Sequence, residues 1–194
     1  MNVLHLDTSA LGGHSVSRQL TASIVAQLQR DGVASTVAYR DLAAEPLPHW
    51  QPHADASSEA AQKDEAVLQQ FLAADIVVLG APMYNFSITS TLKAWLDRVM
   101  VAGRTFRYGP NGPEGLAGGK RVVIASSRGG IYSQGPAAAM DFQENYLRTA
   151  MGFIGITDVE FVRAEGVAMG DEARQKAMEH ANATIGQLAL RKAA

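Results

Sequence analysis

The sequence predicts an α/β protein: a doubly wound, five-stranded parallel sheet with helices on both faces. Three observations predict it. Short apolar runs alternate with longer helical patterns along the whole chain, as strands joined by crossover helices require. The runs in the middle, Ile76-Val77-Val78-Leu79 and Val122-Val123-Ile124-Ala125, are apolar at every position, as a strand covered on both faces must be. A chain of 194 residues, 47% apolar and 19% charged, can bury a sizeable core beneath a polar surface, which excludes disorder and collagen and suits one domain over 1–194.

The strands fall at 3–7, 35–39, 76–80, 121–126 and 158–163. Leu20, Ile24 and Leu28 repeat at i, i+4, i+8, and Ile88, Leu92, Trp95 and Val99 form a second stripe; each is the apolar face of an amphipathic helix. Further helices are expected at 58–73 and 138–151, and a last one at 171–190 with Met178, Ala181, Ile185 and Leu188 inward. The connections 42–56, with Pro46, Pro48 and Pro52, and 103–119 read as long and irregular, a length usually reserved for lids or interfaces. Right-handed crossovers leave the order 2-1-3-4-5 as the common arrangement, with ligands bound beyond the carboxyl ends of the strands where the winding reverses. The loops to inspect are therefore 8–17, 81–87 and 126–135.

Composition narrows the function. Seventeen Lys plus Arg against nineteen Asp plus Glu give a formal charge of −2, with no cationic excess to hold nucleic acid or an anionic membrane. The absence of cysteine removes disulfides, thiolate zinc, iron–sulfur clusters and a thiol nucleophile, so no metal site is expected and redox chemistry would need a bound cofactor. The amino terminus reads as a first strand rather than a signal peptide. The apolar run at 76–81 is far short of the roughly 20 residues that span a bilayer. A cytoplasmic protein is the expectation.

The first loop, Thr8-Ser9-Ala10-Leu11-Gly12-Gly13-His14-Ser15-Val16-Ser17, gathers hydroxyls at the start of a helix. Unpaired N–H groups and the helix dipole can seat a phosphate there without a lysine. Ser9, Ser15, Val16 and Ser17 are the candidates. One serine could instead be a simple helix cap, though that leaves the others unexplained. His14 reads as a solvent-facing loop residue and His5 as a satisfied core residue. Gly12-Gly13 lacks the third glycine of the dinucleotide fingerprint, which favours a mononucleotide. Gly115-Leu116-Ala117-Gly118-Gly119-Lys120 is one residue short of a P-loop and precedes a strand. Ser90-Thr91-Leu92-Lys93 matches S-x-x-K without its companion motifs.

The second loop leaves a buried strand through Pro82, whose fixed φ stiffens Met83, Tyr84, Asn85 and Phe86. A thioether, two aromatic faces and an amide suit a planar ring. In the third, Ser127, Arg128, Gly129 and Gly130 follow another buried strand. The paired glycines let backbone approach a flat ligand.

Ala81-Pro82-Met83-Tyr84-Asn85-Phe86, Thr105-Phe106-Arg107-Tyr108 with Asn111-Gly112-Pro113-Glu114-Gly115, Ser127-Arg128-Gly129-Gly130 and Gly152-Phe153-Ile154-Gly155-Ile156-Thr157-Asp158 together resemble, nearly end to end, the FMN-dependent, NADH-using bacterial azoreductases and quinone reductases. These are flavodoxin-like homodimers with flavin sites at the interface. The resemblance implies that Ser9, Ser15, Val16 and Ser17 hold the FMN phosphate and that the Met83–Phe86 and Ser127–Gly130 stretches embrace the isoalloxazine. It also implies a ping-pong reaction in which NADH, with NADPH as the alternative donor, reduces the flavin and a quinone, azo or nitroaromatic acceptor reoxidises it. No side chain need act as acid or base. Amides around Asn85 and Gly129 are candidates to stabilise charge on the reduced ring, and Phe106, Tyr108 and Phe153 to line the acceptor pocket, some from the partner subunit. Arg18 stands where many relatives carry Asn, and could either add charge near the phosphate or face solvent. The stretch after Asp41 looks shorter than in some relatives.

Three rival readings remain distinguishable. A flavodoxin-type electron carrier would be more acidic than −2. A receiver domain needs several carboxylates at the end of the first strand, where only Asp7 stands. An NADPH-preferring quinone reductase of related fold would differ in pyridine nucleotide and oligomeric state.

Overall fold

The computed structural model describes residues 1–188. Five parallel strands, β1 (Asn2–Asp7), β2 (Thr36–Asp41), β3 (Ile76–Pro82), β6 (Arg121–Ser127) and β7 (Asp158–Ala164), pair in the order β2-β1-β3-β6-β7. The expected winding, 2-1-3-4-5 in the parallel strands, is therefore present, and each strand lies within two residues of its expected bounds.

Five α-helices cover the sheet. On one face, α1 (Val16–Arg30) and α5 (Asp171–Leu188) bury Leu20, Ile24, Leu28, Ala181 and Ile185 against Val78, Val123 and Val162. On the other, α2 (Glu59–Leu72), α3 (Ser90–Val99) and α4 (Glu144–Phe153) bury Phe71, Trp95, Leu96, Leu147 and Met151 against Leu4, Leu79 and Ile124. Each such side chain contributes about 1.5–3 kcal/mol of burial. Ser15, Ser58 and Thr89 cap α1, α2 and α3 by accepting from Arg18 N, Ala61 N and Leu92 N. The expected helix at 171–190 is observed to Leu188; Ala189 and Leu190 lie outside the described residues.

Two expectations are corrected. The segment 138–151 is not one helix: a 3₁₀ turn, Pro136–Met140, is separated from α4. The break falls at Asp141, whose carboxylate accepts from the amides of Gln143 and Glu144 and so starts a new helix. The connection 103–119 is not irregular. It contains an antiparallel hairpin, β4 (Phe106–Gly109) and β5 (Gly112–Gly115). Its foot is fixed by Leu116 N donating to Thr105 O and Ala117 N to Ile154 O. Gly115 permits the junction, since a Cβ there would lie 2.1 Å from the amide nitrogen of Gly155.

Candidate functional site

The first loop ends β1 and enters α1 through a short 3₁₀ turn, Gly12–His14. Ser15 Oγ lies 3.1 Å from Ser17 Oγ and accepts from Arg18 N, and Ser9 Oγ accepts from Leu11 N. Both readings of Ser15 thus meet in one residue: it caps the helix, and it belongs to a serine cluster. Val16 and Ser17 precede the first regular helical bond, Gln19 N to Ser15 O, so their amides head the helix as an anion site requires. Ser9, Ser15 and Ser17 are buried, with exposed Leu11, Gly12, Gly13 and His14 above them.

Arg18 takes neither expected course. Its guanidinium donates to the Ser9 carbonyl at 2.9 and 3.2 Å and grips the Asp41 carboxylate at 2.6 and 2.7 Å. Asp7 and Asp41 are paired at the ends of adjacent strands, and Arg18 lies 3.7 Å from Asp7 as well. The hydrogen bonds from Arg18 bring the Asp41 carboxyl down to about 2. Burial, reinforced by Asp7, pushes the Tyr39 phenol up to about 12. Burial alone would raise Asp7, but His5, Thr21 and Tyr39 around it hold it below 3.8. His5 is buried beside Tyr39, as expected of a core residue, but it is not satisfied: Nε2 has no hydrogen bond and stands 3.6 Å from Asp7 Oδ1.

The second loop turns through Asn85 and Phe86, both at positive φ (50° and 72°). Tyr84 N donates to Ser87 O and Ser87 N to Tyr84 O at 2.9 and 3.1 Å, so these four residues form a mirror-image β-turn that ordinarily favours glycine or asparagine. Phenylalanine there is strained by roughly 1–3 kcal/mol, and such strain concentrates at ligand clamps. The Tyr84 hydroxyl lies 3.4 Å from Ser9 Oγ and accepts from Ala10 N at 3.2 Å. It ties the second loop to the first, a role its sequence position did not announce.

The third loop adjoins the second. Met83 N donates to Ser127 O at 2.8 Å, extending the β3–β6 pairing of Pro82 with Ser127. The carbonyls of Arg128, Gly129 and Gly130 accept from Val167, Ala168 and Gly166; amides are what the two glycines have left to offer a ligand. The gaps left by their missing side chains face Ala168 and the Tyr132 ring, so the close approach expected of them is made to protein on that side. The Arg128 side chain, expected with the ring-holding group, is turned into the protein with no exposed surface. Its guanidinium meets Asp141, Glu144 and Glu165 at 2.9, 2.5 and 3.2 Å and donates to Ser126 Oγ at 3.0 Å. A buried carboxylate cluster demands a cation, and Arg128 supplies it.

Sequence reasoning missed three further residues. Gln143 donates to Ala81 O and accepts from Ser126 Oγ, bridging β3 and β6. Phe142 N donates to Phe86 O, and the Phe86 and Tyr132 rings meet edge to face at 6.1 Å. Exposed Leu11, Phe86, Ile131, Met140 and Phe142 make the rim of the loops apolar. Tyr132 and Phe142, two aromatics in a connection that otherwise lacks them, were the available signal.

Phe106, Tyr108 and Phe153 are brought to one another, at 4.7 and 5.7 Å between rings, but not to the loops. Helices α3 and α4 leave the carboxyl edge of the sheet and end at its amino edge, where Phe153 and the hairpin lie. Within one chain these aromatics and the three loops occupy opposite ends. A cleft of about 1020 Å³ lies apart from the loops, between 42–56 and α2. There His53 pairs with Asp64 at 2.9 Å and Arg98 with the same carboxylate, which fastens the proline-rich segment down. Among the described residues no group of His, Asp and Glu is arranged to hold a metal, and no helix is long and apolar enough to cross a membrane.

The model of a family described as having the flavodoxin-like fold matches residues 1–189. The chain is 59% identical over 189 residues to an FMN-dependent NADH:quinone oxidoreductase of Stenotrophomonas maltophilia, covering 95% of this chain and 94% of the relative. It is 56% identical over 198 residues to one from Sinorhizobium fredii, covering 96% of each. Among solved structures, an azoreductase from Bacillus anthracis superimposes with a TM-score of 0.86 at 30% identity, over 97% of this chain and 98% of that one. An FMN-dependent NADH-azoreductase of the same species, solved in complex with FMN, gives 0.83 at 25% identity over 97% and 99%.

Proposed function

Since this chain belongs to the flavodoxin-like family of FMN-dependent NADH:quinone oxidoreductases, we propose that it works as one FMN-binding domain spanning 1–194, paired in a homodimer, that reduces quinones and aromatic azo compounds in a ping-pong reaction. It is an FMN-dependent oxidoreductase that uses NADH. The observation carrying the site assignment is the convergence, at one edge of the sheet, of a serine-lined helix start with a strained aromatic turn tied to it through Tyr84.

The residues fit the cofactor. Ser9, Ser15, Ser17 and the amides of Val16 and Ser17 hold the phosphate with uncharged donors, since Arg18 is spent on Asp41 and the Ser9 carbonyl. Met83, Tyr84, Asn85 and Phe86 form one wall for the ring and Ser127, Gly129 and Gly130 the other, with Arg128 behind it. When bound, the flavin supplies the redox chemistry, taking a hydride from NADH and passing two electrons to the acceptor. Amides near Asn85 and Gly129 would stabilise negative charge developing on the bound ring. The two substrates occupy one space in turn, bounded by the apolar rim at Phe86, Tyr132 and Phe142. Tyr108, 75% exposed, and Phe153 reach that space from the partner subunit, which reconciles their distance from the loops of their own chain. Quinones are the natural acceptors, with azo and nitroaromatic compounds as further flat, electron-poor candidates, and the supply of NADH fits a cytoplasmic enzyme.

The test is the visible spectrum of the purified protein, followed anaerobically. A yellow absorption bleached by NADH and restored by a quinone is expected. A colourless protein that takes up no FMN supplied in excess overturns the reading. Light scattering at twice the chain mass, and loss of quinone turnover in Tyr108→Ala with FMN retained, are expected of the shared site.

A further inference from the structure

The buried charge cluster beneath the third loop has no place in the chemistry above, yet it touches each segment that bounds the ring. Arg128 has no exposed side-chain surface. Through Glu165 it reaches the outer half of its own loop: that carboxylate accepts from Tyr132 N at 2.8 Å and Ser133 N at 2.9 Å, and from the Ser133 hydroxyl. Through Asp141 it reaches the start of α4, where Asp141 Oδ1 holds the amides of Gln143 and Glu144. There Phe142 N donates to Phe86 O and Gln143 Nε2 to Ala81 O, so the chain of bonds ends in the second loop. Ser126 Oγ closes the circuit, donating to Gln143 and accepting from Arg128 Nε. The fork shape of guanidinium serves these partners at once, which an ammonium cannot do.

We propose that Arg128 is a positioning residue that sets the separation of the two ring-holding loops, acting through Glu165 on one side and Asp141 on the other. This rests on the FMN-dependent reading. Arg163 supplies the internal comparison: it grips Glu144 at 2.5 and 2.7 Å in the same cluster and makes none of the bonds that lead to either loop. If the cluster acts only as a stabilising knot, the two arginines are equivalent in their effect on the ring; if Arg128 positions, they are not.

The experiment measures FMN dissociation constant, flavin midpoint potential, KM for NADH and melting temperature in the parent, Arg128→Lys, Glu165→Gln and Arg163→Gln proteins. Removing one partner of a buried, hydrogen-bonded pair leaves the others unsatisfied. Arg128→Lys is expected to weaken FMN binding by about tenfold and to shift the potential, and Glu165→Gln to do the same by about threefold. Arg163→Gln is expected to lower the melting temperature with FMN affinity and potential at parent values. Parent-like affinity and potential in both Arg128→Lys and Glu165→Gln overturn the proposal, as does an Arg163→Gln shift equal to that of Arg128→Lys. If Arg128→Lys fails to fold, Glu165→Gln decides between the two outcomes. A parent protein that binds no FMN would sink the functional reading instead, which keeps the two failures apart.

Discussion

At the proposed phosphate end of the site, three serines within nine residues of chain converge on a helix start, and these named donors are uncharged. At the proposed ring end, the Gly129–Gly130 stretch adjoins a buried arginine whose carboxylate partners lie 13 to 37 residues away in sequence. The first arrangement is local, and its strength comes from backbone amides and the helix dipole. The second is assembled by the whole fold and depends on burial, because where water is excluded the attraction between charges is strongest and the loss of one partner costs most. A phosphate tolerates some variation in how its oxygens are met, whereas a planar ring between two walls does not, and the more elaborate support lies where geometry is less forgiving.

The largest effect that would break this contrast is at the phosphate. Replacing Ser15 and Ser17 together by alanine removes a cap worth about 1 kcal/mol and hydrogen bonds to a charged group worth about 1.5–3 kcal/mol each. FMN affinity, read by fluorescence titration, should fall about a hundredfold or more. A change below about threefold would take the serines out of the site.

Arg18→Ala should be smaller, a loss of about 1–2 kcal/mol in urea unfolding at neutral pH, since Asp41 and the Ser9 carbonyl lose their partner. The pH dependence sharpens it. Asp41 is held at about 2 against an ordinary 3.8, so its pairing stabilises the folded state fully above about 3.8 and is lost as pH falls through about 2. The stability gap between parent and Arg18→Ala should therefore narrow between those two values, leaving the share due to the Ser9 carbonyl. A gap constant down to pH 2 would show that the ion pair is not its source.

Phe86→Gly relieves a side chain held at positive φ and should raise the melting temperature by about 2–4 °C, equivalent to about 1 kcal/mol in a chain of this length. Its acceptor KM should rise at the same time, since an apolar rim residue is gone. An unchanged or lower melting temperature would remove strain from the account of this turn. The smallest expected effect is that of salt: between about 50 and about 500 mM, FMN affinity should change less than about twofold, because among the described residues the proposed phosphate site offers hydroxyls and amides and the adjacent Arg18 is paired with Asp41. A steep decline would mean that a charged donor had been overlooked.

What was legible in the sequence follows the same division. Unbroken apolar strands such as Val77-Val78-Leu79 and stripes such as Leu20, Ile24 and Leu28 state their environment locally, and the sheet with its winding followed from them. Ser15 as a cap and the serine cluster were equally local. The hairpin at 106–115 escaped because four-residue strands bounded by glycines show no sustained alternation. Arg128 was grouped with the ring-holding residues because it sits in the Ser127-Arg128-Gly129-Gly130 stretch that carries the resemblance, and nothing near it in the chain says that three carboxylates will surround its side chain. The link from Tyr84 to Ser9 spans 75 residues and exists only once β1 and β3 lie side by side. Phe106, Tyr108 and Phe153 were read as lining an acceptor pocket; their rings meet one another, but which edge of the sheet they occupy is a property of helix direction and not of residue type.

The contact between Gly115 and Gly155 leaves no room even for a methyl group, so the arm bearing Phe106 and Tyr108 is seated backbone to backbone. Such an arm behaves as a bracket and not as a flap. In the proposed dimer, a molecule entering the space this arm would border meets a fixed gauge, and discrimination among flat guests would fall to their thickness and outline.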